Sequence, residues 1–258
     1  MTPNAKRKTQ NVKRVTRKLP GLRTFFLAGL LFFAAGWVAG QSVSGVPGYV
    51  RVPTASFHED GTLYFGSGFL PQQYLPYTHN RYDALAVYGS LTFLSFVEID
   101  LRVTRILGLP EGSNHVVDRV PTIRFRILKE KKWIPSVTIG LHDVVTSLES
   151  GVARHFGASY LVATKKFHIP AWYFNIETTV GYGLSIFIWK NNELMGFFGA
   201  LAFSHDKAPW LSLMFDYDGI IPNAGLRVVC FKHLNLTAGF LNFSAFTGSV
   251  SYQFRIKR

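Results

Sequence analysis

Apolar and polar residues alternate one by one along the stretch from Val97 to Thr104. On one side of an extended strand the side chains are apolar: Val97, Ile99, Leu101 and Val103. On the other side they are polar or charged: Glu98, Asp100, Arg102 and Thr104. Because successive side chains of a strand point to opposite faces, this stretch predicts a β-strand with one apolar and one polar face. Strands of a soluble β-sandwich and of a transmembrane β-barrel both show this pattern.

Further short segments of the same kind follow Gly61, separated by turn residues such as those at 130–132 and 190–192. The predicted segments are 62–69, 84–91, 97–104, 122–127, 137–142, 156–163, 174–181, 193–204, 211–217, 225–228, 234–240 and 249–256. No helical periodicity of useful length appears after residue 41. The pattern therefore predicts an all-β fold of about twelve antiparallel strands.

For two predicted strands, the sequence indicates less clearly which side faces lipid and which faces the lumen. In segment 156–163 the apolar side is formed by Phe156, Ala158, Tyr160 and Val162, so in a membrane barrel these residues are expected to face lipid and Ser159 the lumen. Segment 193–204 is apolar on both sides, and its facing stays open.

Composition favours a membrane barrel over a secreted sandwich. Charged residues make up 17% of the chain, whereas about 25% is usual for a soluble domain. The exposed strand faces of a sandwich would carry more Lys and Glu. Aromatic residues near segment ends resemble the girdles of membrane barrels: Trp133, Trp172, Trp189, Trp210 and Phe254. We predict a single transmembrane antiparallel β-barrel of about twelve strands.

The first forty residues have the parts of a secretory signal. A basic region runs to Arg23, an apolar run follows from Phe25 to Ala39, and small residues precede Gln41. We predict a signal peptide over 1–40, cleaved near Gly40 and Gln41, a lead-in segment over 41–60 that could plug the lumen, and a barrel over 61–258. The alternative is an uncleaved inner-membrane anchor, although the apolar run is short for a membrane-spanning helix. A signal and a barrel together predict the outer membrane of a Gram-negative bacterium.

The net charge of +13 belongs mostly to this leader. Residues 1–40 hold eight of the 28 Lys and Arg and no acid, which leaves 20 basic residues against 15 acidic ones. We therefore expect no nucleic-acid partner. Cys230 is the only cysteine, so an intramolecular disulfide and a cysteine metal cluster are excluded. No metal site and no cofactor is predicted.

Nine charged residues lie on the predicted lumen faces of the strands: Glu98, Asp100, Arg102, Arg124, Arg126, Glu177, Asp216, Arg227 and Arg255. One interpretation is a charge stripe that guides an anionic polysaccharide. The other is that these charges pair with one another, because a buried charge needs a partner, or tie the lead-in segment across the lumen.

Two smaller groups of residues suggest chemistry. Ser159 shares strand parity with His155, but residues four apart on a strand lie about 13 Å apart, too far for a catalytic dyad. Contact between His142 and Ser159 across a hairpin stays open, and we predict no catalytic residue. Asp216, Asp218 and Asn223 flank a tight turn: they could bind a cation or a sugar hydroxyl, or cap backbone donors of the turn.

The sequence resembles the YjbH-like proteins of exopolysaccharide biosynthesis and secretion. The residues that carry the resemblance are Gly48–Ala55 with Asp60-Gly61, Leu91–Glu98, Pro135–Asp143, Ser159–Lys166, Gly181–Gly183, and Phe215–Asp218 leading to Asn223–Arg227. The resemblance covers nearly all of residues 46–254. It implies an outer-membrane β-barrel with a role in polysaccharide export.

From the pattern and the resemblance together, we expect a non-enzymatic outer-membrane barrel that takes part in biosynthesis or export of a surface exopolysaccharide. The alternatives are an outer-membrane enzyme that modifies lipid or glycan and a structural barrel that anchors a periplasmic partner. The expected partners are outer-membrane lipid, an anionic polysaccharide and periplasmic export proteins.

Overall fold

Antiparallel strands make up most of the structure. The computed structural model describes residues 40–75, 81–110, 112, 116–144, 156–184 and 193–256. Within these ranges there are twelve strands: β1 (Thr62–Leu70), β2 (Ala84–Phe93), β3 (Val97–Ile106), β4 (Val116–Leu128), β5 (Ser136–His142), β6 (Ala158–Ile169), β7 (Phe174–Gly183), β8 (Phe197–His205), β9 (Ala208–Tyr217), β10 (Pro222–Cys230), β11 (Leu234–Leu241) and β12 (Ala245–Arg255).

Each strand pairs with its neighbours in the chain, and β1 pairs with β12, so the sheet closes into a barrel. The closing register sets Thr62 opposite Arg255 and Phe69 opposite Gly248. The prediction of an all-β, twelve-stranded antiparallel barrel is confirmed. In the same ranges the helical turns are two short 3-10 helices, Gln72–Tyr74 and Pro170–Trp172. None of the helices described is long and apolar enough to span a membrane.

The two ends of the barrel differ in their connections. At the end where β1 begins and β12 finishes, here the turn end, the connections are 94–96, 129–135, 170–173, 206–207 and 231–233. At the opposite end, here the loop end, they are 71–83, 107–115, 143–157, 184–196, 218–221 and 242–244. Four of the loop-end connections are longer than any connection at the turn end.

Three of the tightest hairpins contain two successive residues with left-handed backbone. These pairs are Leu94 with Ser95, Phe231 with Lys232, and Asn242 with Phe243, all with φ between 49° and 62°. Two successive positive φ angles twist a hairpin in the sense that the flanking strands already have. None of these six residues is glycine. The pairing of the flanking strands must therefore hold the turns in this conformation.

The side chains of β3 face as predicted. Leu101 in β3 has 51% of its surface exposed on the outside of the barrel, whereas Glu98 and Thr104 are 0% exposed on the inside. Outward apolar side chains recur around the barrel and form an exposed apolar belt: Phe65, Val87, Ile99, Phe125, Leu161, Val180, Leu201, Leu213, Phe215, Leu226, Leu236, Phe240, Val250 and Tyr252.

The predicted facing of β6 is wrong. Tyr160 pairs with Gly140 of β5 and is fully buried in the barrel interior, together with Ala158 and Val162, while Leu161 points outward. Gly140 makes room for this arrangement, because a Cβ atom there would overlap the Tyr160 ring. The apolar side of β6 thus faces a packed interior, which the alternation of the strand could not distinguish from lipid.

The facing of the eighth strand, left open by its sequence, is settled by the fold. Phe198 and Ala200 of β8 are buried inside, and Phe197 and Leu201 are exposed outside. The predicted aromatic positions that the structure describes cluster at the turn end. Trp133 and Trp172 lie in its connections, and Trp210 and Phe254 lie in the adjacent parts of β9 and β12. Trp189 lies outside the described residues.

Candidate functional site in the barrel lumen

The lead-in segment, residues 41–60, fills the barrel lumen. It folds back on itself: Ser42 N donates to Val46 O at 2.8 Å, Val43 N to Val50 O at 3.0 Å, and Tyr49 N to Val52 O at 2.8 Å. Val43, Val50 and Val52 are fully buried. A short chain segment can be buried in this way because its backbone polar groups find partners in the segment itself and in the wall.

Apolar side chains of the wall pack against one side of the lead-in segment. Tyr49, Val50, Val52 and Ala55 form one buried cluster with side chains from β6, β8, β9 and β11. The wall members are Ala158, Tyr160, Val162, Phe198, Ala200, Met214 and Leu241. Within the cluster the Tyr160 and Phe198 rings meet edge to face with centroids 6.0 Å apart. This side of the lumen is therefore a hydrophobic core, which explains why the apolar side of β6 faces inward.

Hydrogen bonds from β6, β7 and β10 hold the same side of the segment. The Tyr49 hydroxyl donates to Glu177 Oε1 at 2.8 Å. The hydroxyl oxygens of Thr54 and Thr164 lie 3.1 Å apart. Arg227 Nη2 donates to the carbonyl oxygen of Gly48. Each of these contacts joins residues more than 100 positions apart in the chain.

The Asp216 carboxylate binds the lead-in segment near the loop end. Its Oδ2 accepts from Arg51 N at 2.8 Å and from Val52 N at 3.2 Å. Its Oδ1 accepts from Asn223 Nδ2 at 2.7 Å. Asp218 caps the adjacent turn, because its Oδ1 accepts from the backbone N–H groups of Ile220 and Ile221 at 2.9 and 2.8 Å. These contacts match the turn-capping interpretation and add an anchor for the segment.

Arg51 joins the segment to acidic side chains at the loop end. Its guanidinium lies 2.9 Å from Asp218 Oδ2 and 3.2 Å from Glu193 Oε1. Burial by itself would raise the pKa of Glu193, but His142, Arg102 and Arg51 outweigh it and lower that pKa to about 2. The Glu193 side chain is therefore ionised at neutral pH, and its negative charge stabilises the positive charge of Arg51.

A buried ion pair holds the segment on the opposite wall. Arg124 Nη1 lies 2.7 Å from Glu98 Oε1, and both side chains are fully buried. Arg124 Nη2 also donates to the carbonyl oxygen of Thr54. The Thr92 hydroxyl donates to the second carboxylate oxygen of Glu98 at 3.2 Å. Paired in this way, the two charges connect β3, β4 and the lead-in segment.

The remaining predicted lumen charges occupy two different places. Asp100 and Arg102 are buried on the inner face of β3, and the Arg102 guanidinium lies 4.2 Å from the centre of the Phe156 ring. Arg126 and Arg255 lie at the mouth of the turn end. Arg126 donates to the Ser95 carbonyl, and Arg255, with a side chain 57% exposed, pairs with Glu59. Of the nine charged residues predicted to line the lumen, Arg126 and Arg255 therefore lie outside the group in the barrel interior.

The residues considered for acyl chemistry do not come together. Ser159 pairs with Leu141, lies on the outward side of β6 and donates to the carbonyl oxygen of Leu184. His142 faces the lumen, where its ring meets that of Tyr160 with centroids 5.0 Å apart. His155 lies outside the described residues. Across the described ranges, no group of three His, Cys, Asp or Glu side chains could hold a metal ion.

Sequence reasoning missed the lead-in residues that bind the wall, Tyr49, Arg51 and Thr54. Their only signal was the block Gly48–Ala55, which carried part of the family resemblance. Comparison with protein-family models matches residues 40–217 to the YjbH family, described as exopolysaccharide biosynthesis protein YbjH. The chain belongs to the YjbH family.

The family match includes the lead-in segment and β1 to β9. It ties the chain to exopolysaccharide biosynthesis, and the structure gives this member a β-barrel fold. The block Asn223–Arg227, which also carried the resemblance, lies beyond the matched residues. A search of curated proteins finds no match.

Proposed function

We propose that this chain is a non-enzymatic β-barrel of the outer membrane of a Gram-negative bacterium and takes part in exporting a surface exopolysaccharide. The exposed apolar belt supports the membrane location, because large apolar side chains such as Phe65, Ile99 and Val180 cover the outside of the barrel. A closed barrel has no open strand edge, which is the condition for placing strands in lipid.

The unequal ends of the barrel support one orientation. Outer-membrane barrels have short periplasmic turns and longer extracellular loops. By that rule the turn end faces the periplasm and the loop end faces the outside of the cell. Trp133 and Trp172, 84% and 71% exposed at the turn end, then lie where an inner aromatic girdle is expected.

The filled lumen is the observation that carries the proposal of export. The lead-in segment occupies the interior, and wall side chains hold it by ion pairs and hydrogen bonds to Arg51, Thr54 and Gly48. The lead-in segment closes the lumen without being part of the barrel wall, and hydrogen bonds and ion pairs hold it in place. Such an arrangement is suited to a passage that opens under control. We propose an anionic polysaccharide and periplasmic export proteins as the partners of this passage.

The placement of Ser159 supports a non-enzymatic role. Its hydroxyl is engaged with the Leu184 carbonyl on the outward side of β6, whereas His142 faces the lumen. A nucleophile needs a base within hydrogen-bond reach, and His142 does not supply one to Ser159.

The filled lumen also favours a second candidate, a structural barrel that anchors a periplasmic partner. An anchor needs a stable closed barrel and no passage. The two candidates differ in whether the lead-in segment must move for the protein to work.

Deleting the gene and complementing it tests the proposed function. We expect the deletion to lower surface exopolysaccharide, measured with a glycan-specific stain on intact cells, and the full chain to restore it. A chain lacking residues 1–40 is the matched control and should not restore the stain, because the proposed signal peptide directs export. The barrel should be found in the outer-membrane fraction, with an amino terminus near Gln41. Unchanged surface glycan in the deletion strain would contradict the export function.

A further inference from the structure

The lead-in segment contacts the two sides of the lumen very differently. On the side of β6 to β11 it packs into the apolar cluster of Tyr49, Val50 and Val52 and makes the hydrogen bonds to Glu177, Thr164 and Asp216. Moving the segment away from that side would expose apolar surface and leave buried carboxylates without their donors.

On the side of β2 to β5, several buried polar atoms lack such partners. Within the part of the chain that the structure describes, both carboxylate oxygens of Asp100, Nε and Nη2 of Arg102, and Nε2 of His142 have no hydrogen-bond partner. Ser90 lies opposite Asp100 in the register of β2 and β3, and the hydroxyl of Ser90 is in the same group of buried polar atoms. All three side chains are more than nine-tenths buried.

Two small cavities lie along this wall. One, of about 10 Å³, is lined by Ser44, Tyr88, Asp100, Arg102 and His142, among others. The second, also of about 10 Å³, shares Ser44 and His142 and reaches Arg51, Glu193 and Asp218 at the loop end. Each has the room that one water molecule needs beside polar groups.

We call the space between the stretch 44–46 and the wall of β2 to β5 the polar seam. Near the loop end a smaller apolar contact, of Val43 with Ala86 and Val120, lies beside it. Toward the turn end the Glu98–Arg124 pair, with its contact to Thr54, closes it.

We propose that the polar seam is the route of the exported polysaccharide, and that the lead-in segment leaves the β2 to β5 wall while it stays attached to β6 to β11. The inference rests on the proposed export function and adds the path within the barrel. Sugar hydroxyls both donate and accept hydrogen bonds, so they can satisfy the Asp100 carboxylate and the Arg102 guanidinium. Separation on this side breaks the hydrogen bonds of Arg124 to the Thr54 carbonyl and of Ser136 and Thr138 to the Ala55 carbonyl. It leaves the larger apolar cluster intact and exposes polar groups that already lack protein partners, so it is the less costly side to open.

Disulfide cross-links on the two sides of the segment test the route. The background is Cys230→Ser, which removes the only natural cysteine. The seam lock is Val43→Cys with Ala86→Cys, because both side chains are fully buried in the apolar cluster between the lead-in segment and β2. The matched control lock is Thr54→Cys with Thr164→Cys, whose hydroxyl oxygens lie 3.1 Å apart. Formation of each disulfide is checked by mass spectrometry and reversed with dithiothreitol.

We expect the oxidised seam lock to lower surface glycan at least tenfold and the reductant to restore it. The oxidised control lock should stay within twofold of the Cys230→Ser chain. Loss of glycan with both locks would mean that the whole segment leaves the lumen, and no loss with either would mean that the segment does not move. Either result overturns the route. The gene deletion separates these outcomes from a failure of the export function, because in that case surface glycan is unchanged without the barrel.

Thiol labelling gives a second measurement that needs no cross-link. Thr122 lines the first cavity and Thr179 faces the lumen on the opposite side, bonded to Tyr49, and both are buried. In the folded barrel, Thr122→Cys should react with a small water-soluble thiol reagent at least ten times faster than Thr179→Cys. Equal rates, with both variants showing the folded barrel on unheated gels, would overturn a water-accessible seam.

Discussion

Arg124 and Glu98 face each other across β3 and β4 as a fully buried ion pair, with 2.7 Å between Arg124 Nη1 and Glu98 Oε1. The same guanidinium donates to the Thr54 carbonyl, so one side chain joins two strands and the lead-in segment. The pair sits in an interior where an unpaired charge would be strongly unfavourable.

Breaking this pair on one side should destabilise the barrel more than removing both charges. We expect Arg124→Met to cost about 3–5 kcal/mol, because Glu98 then stays buried and unpaired. The double variant Glu98→Gln with Arg124→Met should recover a large part of that loss. Urea unfolding of the barrel in lipid vesicles measures both. A double variant as unstable as Arg124→Met would show that the Thr54 contact, and not the charge, dominates.

Lysine on the outer face of β3 tests the membrane location by depth. Leu101 lies in the middle of the strand, and Val97 lies on the same face at the turn end. We expect Leu101→Lys to cost about 2–4 kcal/mol and Val97→Lys about 0–1 kcal/mol, since charge on the lipid face is most costly at the midplane. The fraction of heat-modifiable folded barrel gives the comparison. Equal losses would contradict a strand that crosses lipid.

Gly140 should be sensitive to a single methyl group. A Cβ atom there would overlap the Tyr160 ring, which is fixed in the apolar cluster. We expect Gly140→Ala to destabilise the barrel by about 1–3 kcal/mol through overpacking. Gly89→Ala is the control: its Cβ atom would lie 3.4 Å from the Phe65 ring on the outer face, and it should change stability by less than about 0.5 kcal/mol. Equal effects would argue against the inward facing of Tyr160.

His58 should make the structure sensitive to acid. Burial, followed by the charges of Arg124, Arg227 and Lys166, lowers the pKa of His58 to about 3. The unfolded chain binds a proton below its own pKa of about 6.5, whereas the folded chain stays neutral, so stability falls as pH drops from about 6.5 toward 3. Unfolding at pH 7.5 and pH 4.5 should show this loss, and His58→Gln should reduce it. The exposed His233→Gln is the control, and an equal reduction there would contradict the assignment.

Much of the barrel was predictable because its signal is local. The alternation of Glu98, Asp100 and Arg102 with Ile99 and Leu101 reflects the geometry of a single strand, which needs no knowledge of its neighbours. Eleven alternating segments, together with the apolar segment 193–204, predicted the strand number, and the alternation within Val97–Thr104 predicted the facing of β3. The charged positions on the polar faces were identified in the same way, and most of them lie in the interior.

The tertiary structure alone decided what those faces meet. Tyr160 and Val162 read as lipid-facing in the sequence, because alternation separates an apolar face from a polar one but does not tell lipid from a packed lumen. The pairing of Glu98 with Arg124 depends on the register between β3 and β4. The contacts of Tyr49, Arg51 and Thr54 with walls more than 100 residues away exist only once the barrel closes around the lead-in segment. Local geometry fixes the direction of a side chain, whereas its partner is fixed by strand register and closure, which no single stretch of the chain encodes.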